Sequence, residues 1–464
     1  MTDGSRSTAP QAAQPLDSAA PAAVHSRGSL LRVLGVGFGL AVIIGNTIGA
    51  GILRTPGEVA GNLPRVWMFI GVWVLGGLYA LLGAYQISEL GAMVPRSGGY
   101  YVFARRALGD FAGFAIGWAD WMAQCGTTAA VAIVIGEYAG ELYPPWNGHM
   151  VDVAVWVTVG VALLQWRGIA WGSLVQNLTS SLKALGFVAL VSGIFFLAHP
   201  LPAPPPPAEM AGGLSFLVAL LVALQAVIYT YDGWYGVIYF GEEVKNPGRD
   251  VPRAMIGGVL SIMAIYVLVN LALVYALPLT QLAGQKLAVG TAANVVFGRH
   301  GMTIILALAI LSMISGINAY HLMASRVVYT MSRDRLFFPQ VAVANKGGTP
   351  TVALFLSTAV AVVFILSGSF NFVASVLAFF FVADYAMAYA VVFILRRREP
   401  ATERPYRAWG YPWTTGLALF LSLAFLVGAI AGDRTNSLYA VGVLALSYPL
   451  YKAFRFFGKS RAAK

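Results

Sequence analysis

The chain of 464 residues is short of charge, of cysteine and of paired histidine, and each shortage closes off a class of function. Charged residues make up 11% of it against 58% hydrophobic, so a soluble domain with a well-solvated surface is excluded. Its single cysteine, Cys125, lies in an apolar run, which rules out an intramolecular disulfide and a cysteine metal cluster. The five histidines are scattered, with no ligand pair at helical spacing, so no metal site is expected. No nucleophile–base pair stands out either, and an enzyme is not expected. The glycines of GNTIGAGIL (45–53) do not make a phosphate loop: the residue three beyond Gly51 is Arg54, and no strand precedes them. No cofactor is implied. Asn177-Leu178-Thr179 fits the glycosylation triplet but sits within an apolar run, where it carries no weight.

What the sequence has instead is apolar length. Twelve runs, near 33–59, 66–94, 110–138, 151–165, 173–197, 214–240, 255–276, 303–329, 351–366, 372–395, 413–431 and 438–451, approach the span needed to cross a bilayer. That span is roughly 20 residues for about 30 Å of hydrocarbon. The expected fold class is an all-α polytopic membrane protein with twelve transmembrane helices. A formal charge of +11 would suit nucleic acid if it were gathered in one patch, but it is spread by loop. Most Lys and Arg fall in the N-terminal tail, the alternate loops and the C-terminal tail, while Arg54, Arg65, Lys286, Arg299 and Arg434 fall on the opposite side. That bias puts both termini in the cytoplasm and makes the span count even, in a multi-pass protein of the cell membrane. Residues 1–29, rich in Ala, Ser, Pro and Gln, read as a disordered cytoplasmic tail. Residues 30–455 read as the transmembrane domain and 456–464 as a cytoplasmic C-terminal tail. The first apolar run is too long for a signal-peptide core and is kept as a span.

Two of the runs are interrupted. The first breaks at Gly45–Gly51, where three glycines and an Asn-Thr pair weaken a helix at mid-membrane depth. The sixth breaks at Asp232-Gly233, recovers a helical pattern through Trp234 to Phe240, and ends in charge and proline. A helix that stops inside hydrocarbon strands backbone amides and carbonyls, which is tolerated only where that backbone lines a protein-walled cavity. A single glycine break is more often a packing kink, and Gly45 and Gly49 also fit a small-residue contact. Paired breaks in the first and sixth runs, however, occupy matching places in two successive sets of five. They predict inverted repeats at about 33–197 and 213–395, followed by helices eleven and twelve at about 413–451, with the substrate site between the breaks.

The site residues follow from what half-helix ends offer. Amides at Gly49, Ala50 and Gly51, at the start of the outer half of the first span, suit a carboxylate. Carbonyls around Thr47, Ile48, Tyr229 and Thr230 suit an ammonium group, so an amino acid fits both. Asp232 and Gly233 complete the set. Asp232 either selects a cation, pairs with Arg54, or caps the restarting helix. Lys183 lies about 16 Å into the fifth span at 1.5 Å per residue, where an ammonium must meet carbonyls or water. It serves either as a structural clamp on the broken first helix or as a proton-coupling group. Arg54 and Glu58 have the spacing of an ordinary i, i+4 pair. Ser312, Ser315 and Asn318 recur every third residue and offer polar support to the site, or simply bond helices together. Asp120, Gln124 and Asp384 are further intramembrane polar residues without an obvious partner.

GNTIGAGIL, SELGAMVPRSGGYYVFARRALG (88–109), GEEVKNPGRDVPRAM (241–255) and SRVVYTMSRDRLFFP (325–339) resemble the amino acid-polyamine-organocation (APC) transporter superfamily. Within it, the likeness is to amino acid permeases close to the L-type group, and it covers about residues 30 to 455. The resemblance implies two inverted five-helix repeats in the LeuT-like arrangement plus two terminal helices. It also implies that Gly49, Ala50 and Gly51 bind the substrate carboxylate and that Tyr229 is a gate. A lysine resembling Lys183 takes the place of a sodium ion in sodium-independent members, so no sodium coupling is expected. Ala50 departs from a frequent serine and offers backbone only. Asp232 departs from a small or uncharged residue. The expected function is secondary active transport of amino acids by alternating access, with proton coupling or exchange. Two alternatives stand beside it: a polyamine or organocation transporter of the same fold, and a non-transporting amino acid sensor. The expected partners are an amino acid, membrane lipid and protons, with no nucleic acid.

Overall fold

A computed structural model describes residues 30–197, 214–367, 370–432 and 434–462 of the chain. The expected N-terminal tail 1–29, the proline-rich segment 201–210 and residues 463–464 lie outside the described residues. The first apolar run forms two helices, α1 (Val36–Thr47) and α2 (Ala50–Asn62), bent by 46° at a break of two residues. They are followed by α3 (Val66–Met93), the short α4 (Tyr100–Leu108), α5 (Asp110–Leu142), α6 (Met150–Trp166) and α7 (Ile169–Leu197). The second half runs through α8 (Leu214–Tyr231), α9 (Pro247–Ala276), α10 (Leu279–Leu282), α11 (Ala288–Phe297) and α12 (Gly301–Arg333). It ends with α13 (Thr351–Leu366), α14 (Phe370–Arg398), α15 (Trp413–Gly432) and α16 (Arg434–Ala462). Among the described residues, extended pairing is confined to two isolated bridges, Leu34 with Val244 and Ser97 with Phe240.

Each apolar run forms helix, the sixth only as far as Tyr231. Five helices among the described residues are long and apolar enough to cross a membrane, six if the bent α1–α2 pair counts as one span, while α6 and α13 are apolar but shorter. Among the described residues the architecture is helical, with several helices of membrane-spanning length and composition, as a multi-pass membrane protein requires. Three stretches differ from the sequence reading. The segment after the sixth-run break is not a resumed α-helix but a turn followed by a single 3-10 turn, Gly236–Tyr239. The chain there must double back at once, because Leu34 N–H donates to the Glu243 carbonyl and Lys245 N–H to the Leu34 carbonyl, both at 2.8 Å. The basic loop after α3 folds part of its length into α4, whose apolar face is buried beside Arg105 and Arg106. The last helix, α16, continues to Ala462, past the expected end near 451.

α1 occupies the middle of the bundle, packed against α7, α9 and α12. The contact with α7 is close: a Cβ on Gly45 would lie 1.9 Å from the Gln176 amide nitrogen and 2.7 Å from the Ser180 hydroxyl. At the end of the bundle that carries Arg96, ion pairs tie the loops together. Asp334 accepts from Arg96 at 2.8 Å and from Arg105 at 2.6 Å, and Arg333 bonds to Glu242. Arg326 and Glu243 form a two-pronged pair at 3.0 and 2.9 Å with both side chains fully buried. Leaving one buried charge without its partner typically costs 3–5 kcal/mol, whereas a solvent-exposed pair is worth about 0–1 kcal/mol. Glu243→Ala is therefore expected to lower the melting temperature of the purified protein far more than Glu399→Ala, which removes the partly exposed partner of Arg106. Equal shifts in a thermal melt would rule out this reading of the buried pair.

Candidate functional site: the cavity at two broken helices

The backbone between α1 and α2 has lost its helical partners, and the side chains around it replace them. Lys183 of α7, fully buried, donates from Nζ to the carbonyls of Gly45 at 2.9 Å and Ile48 at 2.5 Å. Ser312 of α12 donates to the same Ile48 carbonyl at 2.7 Å. The Tyr266 hydroxyl of α9 lies 2.9 Å from the Thr47 carbonyl and 3.0 Å from the Thr230 carbonyl, so one side chain touches both interrupted helices. The Tyr229 carbonyl accepts from the Asp232 amide at 3.1 Å. The carbonyls read from the sequence as free for an ammonium group are thus already engaged by the protein, because hydrocarbon would leave each of them unsatisfied at a cost of several kcal/mol.

The amides tell the opposite story. α2 begins at Ala50 with Gly49 as its N-cap, a residue with no side chain to answer the N–H groups of the first turn. The two breaks are also fastened to each other. Asn46 Nδ2 donates to the Gly233 carbonyl at 3.0 Å, and the Thr55 and Thr230 hydroxyls meet at 2.8 Å. Gly233 has φ +104°, a region that disfavours other residues, and a Cβ there would come within 2.8 Å of Asn46.

Between the breaks lies a cavity of about 370 Å³. Of the residues expected at the site, Thr47, Gly49, Ala50, Gly51, Tyr229, Thr230 and Asp232 line it, joined by Ser312. Ile48 and Gly233 are not on the wall; both are turned into the contacts just described. Lys183 also lies off the wall and reaches the site only through the α1 carbonyls. The three-residue stripe on α12 separates, since steps of three lag a helix by about 60° each. Ser315 and Asn318 face α7, where Ser315 is 3.2 Å from Gln176 and Asn318 donates to Gln176 at 2.7 Å. Tyr229 packs edge-on against Phe425 of α15, with ring centroids 5.5 Å apart.

Asp232 does not pair with Arg54, and its carboxyl group stays within hydrogen-bond reach of the Gly233 amide. Its Oδ1 accepts from the Tyr385 hydroxyl of α14, and the 3-10 turn starts after Tyr235 with no side-chain cap. Arg54 does not pair with Glu58. It turns across to α5, donating to the Tyr138 hydroxyl at 2.7 Å, stacking on that ring and lying 3.5 Å from Glu137. Burial of the guanidinium's apolar stem against Tyr138 favours this over an exposed i, i+4 pair. Sequence reasoning missed Thr127, Ala130, Val131 and Val134, which line the cavity from α5. Their i, i+3, i+4, i+7 spacing was a usable signal, but many apolar faces share it. It also missed Asn46, Thr55, Met313, Gly316, Tyr320 and Phe381 on the wall, and the clamping Tyr266.

The two ends of the cavity differ in what borders them. Thr55 and Arg54 also border a second space of about 530 Å³ that includes Glu58, Glu137 and Lys286. Toward the other end the path is filled by rings: Trp234 stacks on Tyr385 at 5.4 Å, and Tyr100, Tyr235 and Tyr239 pack around them. A polar site at paired helix breaks, bordered by charged residues on one side and by packed rings on the other, is the arrangement of a membrane transport protein rather than an enzyme.

Comparison with known proteins agrees. The amino acid permease family model matches residues 38–447, and the chain belongs to that family, within the APC superfamily and close to its L-type group. It is 28% identical over 436 residues to the serine/threonine exchanger SteT of Bacillus subtilis, covering 91% of this chain and 96% of that one. It is 26% identical over 440 residues to the human b(0,+)-type amino acid transporter 1, covering 92% and 89%. Similarity to the mouse large neutral amino acids transporter small subunit 2 is 26% over 401 residues, covering 82% and 73%.

Two glycines separate packing from binding. A Cβ on Gly45 collides with the Gln176–Ser180–Ser315 cluster, while one on Gly49 meets no atom within 4 Å. Gly45→Ala should destabilise the protein by about 1–3 kcal/mol, as overpacking does. Gly49→Ala should leave the melting temperature near that of the unmodified chain but weaken substrate binding about tenfold, roughly 1.4 kcal/mol. Thermal melts and a binding titration on both variants would check the contrast, and the reverse pattern would remove Gly49 from the site.

Proposed function

We propose that this chain is a secondary active transporter that moves amino acids across the cell membrane by alternating access, independently of sodium. In this reading twelve helices span the membrane, two inverted five-helix repeats precede two terminal helices, and both termini are cytoplasmic. The observation that carries it is the uncapped start of α2 on the wall of the cavity at two linked helix breaks. Those amides and the positive end of the α2 dipole suit a carboxylate. The ammonium end of the same substrate then faces the second lone pairs of the Thr47 and Thr230 carbonyls and the carboxylate of Asp232. Sodium independence is supported by Lys183, whose ammonium already sits on the Gly45 and Ile48 carbonyls as a fixed cation. The names of the relatives, two exchangers or transporters of amino acids and a neutral amino acid transporter subunit, support the same substrate class.

A second reading keeps the mechanism and changes the cargo to a polyamine or other organic cation. Asp232 on the cavity wall favours it, while Arg54 on the same wall opposes it.

Uptake of radiolabelled amino acids and polyamines into proteoliposomes tests both. Amino acid uptake without sodium is the expected result, driven either by a proton gradient or by amino acid preloaded inside. Uptake of polyamines alone would replace the first reading with the second, and no uptake of any member by folded protein would refute both. Lys183→Ala is expected to reduce uptake to background, because it unclamps the first break. Asp232→Asn should lower uptake of cationic relative to neutral amino acids by about tenfold, the value of one 1.4 kcal/mol contact. An unchanged ratio would remove Asp232 from selectivity.

A further inference from the structure

One buried cluster is not used by the site just described. Asp120 and Gln124 on α5 and Asp384 on α14 are each at most 1% exposed. Asp120 Oδ1 accepts from the Tyr239 hydroxyl at 2.8 Å and from Gln124 Nε2 at 2.9 Å, and the Gln124 amide also reaches Tyr239 at 3.1 Å. The second oxygen of Asp120, Oδ2 of Asp384, Oε1 of Gln124 and the Tyr100 hydroxyl are all buried with no hydrogen-bond partner among the described residues. The two carboxyl groups lie within electrostatic reach of each other and Asp384 within reach of Asp232. The titratable groups around them are Tyr239 and Tyr235 beside the second break, Tyr100 of α4, Cys125 of α5, and Tyr385 with Tyr389 on α14. No Lys, Arg or His among the described residues forms an ion pair with either carboxyl group.

Two carboxylates without a countercharge, inside a membrane bundle, cannot both remain ionised. A proton supplies the missing donor, and it turns one of the unpartnered acceptors into an O–H. We propose that Asp120 and Asp384 together form a proton-binding site whose proton exchanges with the medium as the cavity takes up substrate. The linkage runs through the second break. Asp120 holds Tyr239, the last residue of the 3-10 turn, and Asp384 adjoins Tyr385, which donates to Asp232 on the cavity wall. Substrate charge beside Asp232 alters the field at Asp384, and any movement of the turn withdraws the Tyr239 donor from Asp120. Protonation of the pair and the position of the break are therefore coupled, and by linkage the coupling is reciprocal.

This inference rests on the transport reading, and its test separates the two. L-serine, L-leucine and L-arginine are first screened for counterflow in proteoliposomes. Absence of counterflow with all three, in folded protein, would overturn the transport reading itself. With whichever amino acid is carried, protons taken up or released per substrate bound are measured with a pH indicator in weakly buffered detergent solution, across pH, in sodium and in choline salts. A proton exchange present in both salts and lost in Asp120→Asn and in Asp384→Asn is the expected result. Exchange that persists in both variants, that disappears only in Asp232→Asn, or that requires sodium would overturn the proposal. If the Asn variants do not fold, Asp120→Glu and Asp384→Glu keep a carboxyl group but move it by one methylene. The proposal then requires the pH midpoint of the proton exchange to shift, and an unshifted midpoint refutes it.

Discussion

The architecture depends on one constraint: a backbone interrupted inside a membrane bundle must have its carbonyls answered by side chains. α1 stops at Thr47, and the carbonyls of Gly45, Thr47 and Ile48 are met by Lys183, Tyr266 and Ser312, from three different helices. The three neighbours that pack on α1 are therefore the three that keep its end from unravelling. Gly45 has to be a glycine so that α7 can come close enough for Lys183 to reach. The buried ammonium is costly on its own, and two carbonyls in a fixed, water-poor setting are what make it tolerable. Clamp and break are two halves of one arrangement, neither of which would be stable without the other.

That division leaves the site chemically lopsided. The carbonyls at the breaks each already accept one bond from the protein, whereas α2 starts on the cavity wall behind a glycine that offers no side-chain cap. An anionic group is thus the end of a ligand for which the pocket is most fully prepared, and the field of the α2 dipole adds to the same preference. The cationic end must share carbonyls that already hold one donor or turn to Asp232. Under the transport reading proposed above, a zwitterion would meet an anion cradle at α2 and a weaker cation side, with the walls from α5 and α12 left to discriminate among side chains.

Much of this was legible in the sequence because hydrocarbon simplifies the rules. Run length gave the long helices but not the short α4, α10 and α11, and the glycine and Asp-Gly breaks gave the position of the cavity, since few other things explain a stopped helix at that depth. Lys183 was legible for the same reason: a lone cation in an apolar run needs carbonyls. What the breaks do with their own backbone was not legible. Tyr266 looks like any aromatic in a span, yet it satisfies both breaks at once, and only three-dimensional proximity distinguishes it. Arg54 and Glu58 have helical pair spacing, but the choice of Tyr138 and Glu137 on another helix is a tertiary decision. The turn at Gly236–Tyr239 was misread as helix because periodicity cannot register that the chain is pulled back toward Leu34.

The short second half of that sixth run has its own consequence. A 3-10 turn has few internal hydrogen bonds and poor geometry, so it is held by what surrounds it rather than by itself. Here those surroundings are mainly rings with a few hydrogen bonds: Tyr239 bonded to Asp120 and Gln124 and, through its carbonyl, to the Gly98 amide, Tyr235 against Tyr100 and Tyr385, Trp234 stacked on Tyr385. This same cluster closes the cavity on the side away from Arg54. The seal and the weakest segment of the broken helix are thus one object. If that side opens, the turn moves, which exchanges ring contacts and a few hydrogen bonds with no long helix to unwind. Both breaks are fastened, the first by Lys183, Ser312 and Tyr266 and the second by Tyr266, Asn46 and Thr55. Under the proposed transport reading, the 3-10 turn beyond the second break is therefore the segment with the fewest helical bonds to give up when the site moves, while the substrate cradle at α2 stays in place.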